Sequence, residues 1–381
     1  MLNTEARTAY GEDHEILRSE VRKFFAGALV PNLERWEEEG IVDRDFWTAC
    51  GQAGLLCPTI PVAYGGAGAD FCTNAVITEE LAYAGSSAGI TLHSDIVADY
   101  IVHYGTEAQK AHWLPRMISG ETITAIAMTE PGAGSDLQGV RTTALADGDD
   151  YVVNGSKTYI TNGQNADLVI VVAKTDPGGG ARGISLILVE AGTPGFTKAP
   201  PLKKVGMKAQ DTCELFFENM RVPRSNLLGA EEGQGFRMLM KELAWERLMI
   251  AILSVAAAQA ALDWTVEYTR SRKVFGKPVA DYQNSRFKLA EIKTEIAVAQ
   301  VFVDRCLELV LKNELTPEAA AAAKLHASEL VCRVLDECVQ LHGGYGYMLE
   351  YPIARAYVDN RASRIYGGTN EIMKELIART L

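Results

Sequence analysis

The chain predicts an α+β fold in three parts: an N-terminal α-helical domain (residues 1–120), a middle β domain (121–229) of antiparallel, barrel-like character, and a C-terminal four-helix bundle (230–381). Three observations carry this. Apolar residues recur at helical spacing from about Asp13 to Gly120. Between Glu121 and Pro223 the pattern changes to alternation and β-branched runs cut by glycine turns. After Gly235 only long helical periods remain. A length of 381 residues is enough for several domains around a large core.

The elements follow in order. Ile16, Leu17, Val21, Phe24 and Phe25 mark the first helix, which Pro31 closes. Thr73–Tyr83, Ala98–Tyr104 and Glu107–Ile118 are further helices, the last ended by Gly120. Thr122–Thr129, Tyr151–Val153, Leu168–Lys174, Gly183–Val189 and Thr212–Phe217 read as strands, separated by Asp147-Gly148-Asp149, Asn154-Gly155 and Pro177-Gly178-Gly179-Gly180. Phe236–Arg272, Val279–Asn313 and Pro317–Leu341 are long helices. The third of these has Thr316 as its cap, Pro317 in its first turn and Gly343 just past its end. A last helix follows Asn370.

Apolar residues make up 48% and charged residues 23%, an ordinary globular balance that excludes disorder. The formal charge of −12 repels phosphate backbones and anionic lipid, so neither nucleic acid nor membrane is expected as the main partner. The longest apolar run, Met249–Leu262, is shorter than the roughly 20 residues of a spanning helix and reads as a core helix. No apolar signal-peptide core occurs in residues 1–30, and the acidic residues there argue against a transit peptide, so a cytoplasmic location is expected. Seven scattered cysteines without a Cys-x-x-Cys pair suit reduced, mostly buried thiols rather than a disulfide framework or a metal site.

No Walker A, His-Glu-x-x-His or Gly-x-Ser-x-Gly sequence is present. Gly132-Ala133-Gly134-Ser135-Asp136-Leu137 begins like a dinucleotide fingerprint but lacks its third glycine and leads back into β sequence. It is either an ordinary turn or a turn whose backbone comes close to a flat ligand or a pyrophosphate. On the helix Phe236–Arg272, positions 239, 243, 246, 250, 253 and 257 form one stripe, apolar except for Glu246. A carboxylate in such a stripe is costly unless it is paired or used. Desolvation raises its proton affinity, and Arg247 lowers it. Glu246 is therefore either half of a buried ion pair or a base. Asp95 and Asp99 lie one turn apart, and either face solvent and cap a helix or line a pocket.

Thr129-Glu130-Pro131-Gly132-Ala133-Gly134-Ser135-Asp136, followed by Gly155-x-Lys157-x-Tyr159-Ile160-Thr161-Asn162-Gly163, resembles the paired flavin-contacting segments of the acyl-CoA dehydrogenase family. Arg272-x-x-Phe275-Gly276-Lys277, Gln340-x-x-Gly343-Gly344-x-Gly346 and Ile365-Tyr366-Gly367-Gly368-Thr369-Asn370-Glu371-Ile372 continue the likeness in the same order over nearly the whole chain. Ala127-Met128-Thr129-Glu130, Lys208-Ala209-Gln210-Asp211-Thr212 and Met373-Lys374-Glu375-Leu376-Ile377-Ala378-Arg379 resemble its long-chain branch.

The resemblance implies FAD and α,β-dehydrogenation of a medium-to-long or branched acyl-CoA to the trans-2-enoyl thioester, with electrons passed to an electron-transferring flavoprotein. Many relatives carry their base in the terminal loop, where this chain has Gly367. The long-chain and isovaleryl branches carry it on the long helix in a Glu-Arg pair, which selects Glu246. The amide of Gly367, with a ribityl hydroxyl, would polarise the thioester carbonyl. Met128, Thr129, Gly134 and Ser135 would line the flavin and the substrate entrance, Tyr159 would stack beside the ring, and Thr161 would bond flavin N5. Arg272, Phe275 and Gln283 of one subunit and Gln340, Gly343 and Gly344 of another would hold pyrophosphate and adenine, which implies a homotetramer. Thr369 and Glu371 would meet the pyrophosphate. Ser135, Arg182, Arg247, Gly367 and Gly368 would contact the acyl-CoA. Two other functions fit the same likeness: another flavoenzyme on this fold, such as an acyl-CoA oxidase or a desulfinase, and a non-enzymatic flavoprotein, which would want a basic surface.

Overall fold

Helical spacing becomes helix through most of the first 120 residues. The computed structural model describes residues 7–86 and 88–381; residues 1–6 of the N-terminal domain, and Ser87, lie outside that range. The N-terminal layer holds α1 (Glu12–Ala28), α2 (Leu33–Glu39), α3 (Arg44–Gln52), α4 (Phe71–Tyr83), α5 (Ala98–Tyr104) and α6 (Glu107–Ile118). α2 and α3 lie in a stretch whose helical texture is plain but whose borders the sequence leaves unmarked. Asp70 caps α4 by accepting from the amides of Cys72 and Thr73. α4 is buried along most of its length, because it packs on α1 and on the C-terminal helices. Its charged pair Glu79 and Glu80 is neutralised by Arg7, Arg18 and Arg22. Leu92–Val97, just before α5, winds as π-helix.

The middle region builds one seven-stranded sheet from β1 (Thr124–Ala127), β2 (Thr143–Asp147), β3 (Asp150–Ile160), β4 (Leu168–Lys174), β5 (Ile184–Glu190), β6 (Phe196–Lys198) and β7 (Cys213–Pro223). The sheet is mixed rather than purely antiparallel: β1 runs parallel to β4, while β5 pairs antiparallel with β4 over seven positions. Leu168, Ile170 and Val172 of β4 join the core under the N-terminal helices, and Val169, Val171 and Ala173 join the core on the opposite face. Burial on both faces explains why this strand is continuously apolar. Each buried Val, Leu or Ile side chain there contributes roughly 1.5–3 kcal/mol.

α7 (Gly235–Ser271), α8 (Gln283–Leu311) and α9 (Pro317–His342) pack on one another, with α10 (Pro352–Asn360) and α11 (Asn370–Ala378) against α9. Thr316 caps α9 by accepting from the amide of Ala319, and Gly343 ends it at φ +59°. α8 starts later than its periodicity suggests, since Val279–Asp281 is a 3₁₀ turn. α7 contains an 18-residue window of mean hydropathy 1.6, apolar enough by composition to cross a membrane, yet 67% of that window is buried inside the fold. Its apolar character is that of a central core helix. The cysteines are unpaired, and all but the half-buried Cys332 are buried.

Candidate active site

The three layers meet at a cleft of about 570 Å³. One wall comes from the sheet. Met128 and Thr129 follow the end of β1, and Gly134 and Ser135 sit in the glycine-rich turn. β3 has a bulge between Lys157 and Ile160, and there Tyr159 adopts φ +60°. That irregularity throws the Tyr159 ring outward, leaving it 67% exposed in an otherwise buried strand end. Lys157 is fully buried and donates to the Met128 carbonyl (3.0 Å) and to Glu130 Oε1 (2.8 Å). Glu130 in turn accepts from the amides of Arg141 and Thr142. Burial lowers the Lys157 pKa to about 8 against the pull of Glu130. This buried pair fixes the backbone that carries Met128 and Thr129, a role that its place in the motif did not reveal.

The second wall is α7. Leu243, Glu246, Ile250, Leu253 and Ala257 of the predicted stripe line the cleft, while Leu239 belongs to the core. Glu246 is buried, and its pKa rises to about 7, chiefly through burial. Nearby Glu242 pushes in the same direction, while a hydrogen bond from Tyr100 Oη to Oε1 (3.0 Å) and the charge of Arg247 pull it down. Glu246 makes no ion pair among the described residues, so the ion-pair reading of its stripe does not hold.

The third wall is the turn Tyr366–Gly368, with both glycines at positive φ (+65° and +91°). Arg247 Nε donates to the Gly367 carbonyl (3.3 Å), and buried Lys324 Nζ donates to the Gly368 carbonyl (2.9 Å) and to Asn370 Oδ1 (2.8 Å). A Cβ at position 367 would come within 2.3 Å of Ile250 Cδ1. The space that a terminal-loop side chain would need is filled from α7.

Asp95 and Asp99 meet neither expectation. Both are buried, and neither lines the cleft; Leu92 and Ile96 of the same π-helical segment do. Burial raises Asp99 to about 7 and Asp95 well above the carboxylate range. The His93 ring lies between Thr124 Oγ1 and the Met117 carbonyl, and burial lowers its pKa to about 4 against the upward pull of the Met117 carbonyl.

A second cavity of about 450 Å³ brings together Arg272, Gln340, Gly343 and Gly344 of the same chain. Phe275 is 98% exposed, and Gln283 is exposed outside that cavity. Arg182 is exposed in a short turn and lines neither cavity. Thr369 caps α11 by accepting from the amide of Ile372, and Glu371 is exposed beside it. Away from both cavities, His14, Asp70 and Cys72 lie together. Asp70 there serves as a helix cap, and Cys72 Sγ donates to the Ala9 carbonyl.

The comparisons with known proteins follow the same three-part order. The sequence matches the family descriptions "Acyl-CoA dehydrogenase, N-terminal domain" over residues 11–121, "middle domain" over 125–220 and "C-terminal domain" over 233–381. It is 53% identical over 378 residues to the mitochondrial long-chain specific acyl-CoA dehydrogenase of Sus scrofa, covering 98% of this chain and 88% of that one. The crystal structure of an acyl-CoA dehydrogenase from Geobacillus kaustophilus is 51% identical with a TM-score of 0.95, covering 97% of this chain and 98% of that one. A glutaryl-CoA dehydrogenase from Mycobacterium smegmatis in complex with FADH2 is 31% identical with a TM-score of 0.93, covering 99% and 96%. Fold and cleft are thus those of a flavin-dependent oxidoreductase. The chain belongs to the acyl-CoA dehydrogenase family, whose members are FAD enzymes acting on acyl-CoA thioesters.

The residues present fit FAD. Tyr159 offers an exposed aromatic face, and a Cβ at Gly134, Gly343 or Gly344 would meet nothing within 4 Å, so a flat ligand or a phosphate has room to approach the backbone there. Arg272 beside the open glycines supplies positive charge suited to a pyrophosphate.

Proposed function

We propose that this enzyme dehydrogenates long-chain acyl-CoA with Glu246 as the base for the α proton. One observation carries the reading: a buried carboxylate with a pKa near 7 lines the same cleft as the exposed Tyr159 face and the Gly367–Gly368 turn. A base poised near neutrality is partly ionised at working pH yet holds a proton well. FAD, when bound, accepts the β hydride. Glu246 takes the α proton, and the Gly367 amide stabilises charge growing on the thioester oxygen. Tyr159, Met128, Thr129, Gly134, Ser135 and Thr161 hold the flavin side. Arg247, Gly367, Gly368 and Ser135 orient the thioester, and the apolar walls exclude water.

α7 supports the long-chain reading. Ile250, Leu253 and Ala257 continue the cleft away from Glu246, faced by Leu81, Ala82 and Leu92, and Trp264 lies at the far end beside Gly85. From Glu246 to Ala257 the helix rises about 17 Å, and to Trp264 about 27 Å. That apolar length suits an unbranched long tail, and the inward-turned Asp95 and Asp99 give no reason to expect a polar one. Exposed Phe287, Val298, Val301 and Phe302 on α8 favour burial against further copies of the chain, in keeping with a homotetramer. An electron-transferring flavoprotein is the proposed acceptor.

An anaerobic screen of acyl-CoAs of graded length tests the reading. Bleaching of the flavin band is expected to be fastest with long unbranched chains, with reoxidation by an electron-transferring flavoprotein outrunning reoxidation in air. Fastest bleaching by short or branched chains would overturn the length assignment, and fast reoxidation in air would favour an oxidase.

A further inference from the structure

α5 and α7 face each other with matched spacing. Tyr100 and Tyr104 are four apart on α5, and Glu242 and Glu246 are four apart on α7, so the two tyrosines reach two carboxylates as rungs of a ladder. Tyr100 Oη donates to Glu246 Oε1 (3.0 Å), and Tyr104 Oη donates to Glu242 Oε1 (2.5 Å). The rungs differ in their surroundings. Tyr100 and Glu246 are buried, and Glu246 opens on the cleft. Glu242 lies outside the cleft lining and also accepts from half-exposed His103 Nδ1 (3.1 Å). Together His103 and Tyr104 hold the Glu242 carboxyl below its ordinary value despite burial.

We infer that Tyr100 is a positioning residue that aims the Glu246 carboxylate and sets its basicity, while the Tyr104 rung is structural. This rests on the reading of Glu246 as the base. The charged and titratable groups acting on Glu246 are Tyr100 and Asp99 on α5 and Glu242 and Arg247 on α7; behind them, Asp95 in the preceding π-helical turn faces Asp99, and Lys324 on α9 faces Arg247. Glu242 and Asp99 oppose ionisation of Glu246. Arg247 favours it, and Tyr100 is the one described side chain that hydrogen-bonds it. A donor to the carboxylate stabilises the charged form, so its removal must raise the Glu246 pKa.

The test compares Tyr100→Phe with Tyr104→Phe by pH-difference infrared spectroscopy, with the Glu246 carboxyl band assigned by its loss in Glu246→Gln. Tyr100→Phe is expected to move the midpoint of that band up by roughly one pH unit. The acid limb of the anaerobic bleaching rate should follow it, with FAD content retained and the melting temperature retained at pH 5, where the carboxyl is protonated. Tyr104→Phe should leave the midpoint in place. An unmoved midpoint in Tyr100→Phe, or equal shifts in both variants, would overturn the inference. Should Tyr100→Phe not fold, 3-fluorotyrosine at position 100, a stronger donor, should move the midpoint down instead, and no movement overturns the inference. Undiminished bleaching by Glu246→Gln would sink the base reading alone, since the infrared midpoint is read without turnover.

Discussion

Glu246 combines a function with a stability cost. Its folded pKa of about 7 stands above the ordinary carboxylate value of 4.5. A raised folded pKa means that the folded state binds the proton more tightly, so the contribution to stability is present below the ordinary value and is lost as pH rises through 7. Glu246→Gln, which can still accept from Tyr100, should therefore be more stable than the parent at pH 8 by up to about 3 kcal/mol and melt higher, with the gap closing toward pH 5. A gap independent of pH, measured by thermal melts across that range, would contradict this account. Glu246 was legible in the sequence because a lone carboxylate interrupts an apolar stripe. Tyr159 was legible only through the family likeness, because a bulge with positive φ leaves no periodic trace. Tyr100, Lys157 and Lys324 were missed because each acts through a tertiary partner, although the four-residue spacings of Tyr100/Tyr104 and Glu242/Glu246 were there to be matched.

The turn at Gly367 and the helix α7 form one packed unit. A Cβ at position 367 would meet Ile250 Cδ1 at 2.3 Å while the backbone stays at φ +65°. Gly367→Ala should cost about 2 kcal/mol in chemical denaturation. In an Ile250→Val background, which removes the clashing methyl, the cost should fall to the strain of positive φ alone, about 1 kcal/mol. Equal costs in both backgrounds would show that the packing reading is wrong. The glycine at 367 and the carboxylate at 246 are thus two sides of one arrangement: α7 fills the space beside the loop and itself carries the acid. α7 and α9 were readable to within a residue or so, α7 from its long apolar period and α9 from its period together with its Thr316 cap. α10 was missed, although Pro352 stands at its first turn, since a nine-residue helix offers little periodicity. The parallel pairing of β1 with β4 was also hidden, because a strand buried on both faces reads the same in either direction.

The cleft exists because three regions of sequence converge. The N-terminal region supplies Leu92 and Ile96, with Tyr100 of α5 behind Glu246; the bulged end of β3 supplies Tyr159, and α7 and the terminal turn supply Glu246 and Gly367. The ion network of Arg7 and Arg18 with Glu79 and Asp304 ties the N-terminal residues to α4 and α8, so the first and last regions are held as one body. Composition and charge could exclude partners, but no local pattern tells which helix faces which strand. The most direct measurement is rapid anaerobic mixing of Glu246→Gln, FAD bound, with a long-chain acyl-CoA. The variant should bind the thioester, seen as a perturbed flavin spectrum, while bleaching slows by a factor of about 10³ or more. Bleaching at the parent rate would contradict the assignment of Glu246 as the base.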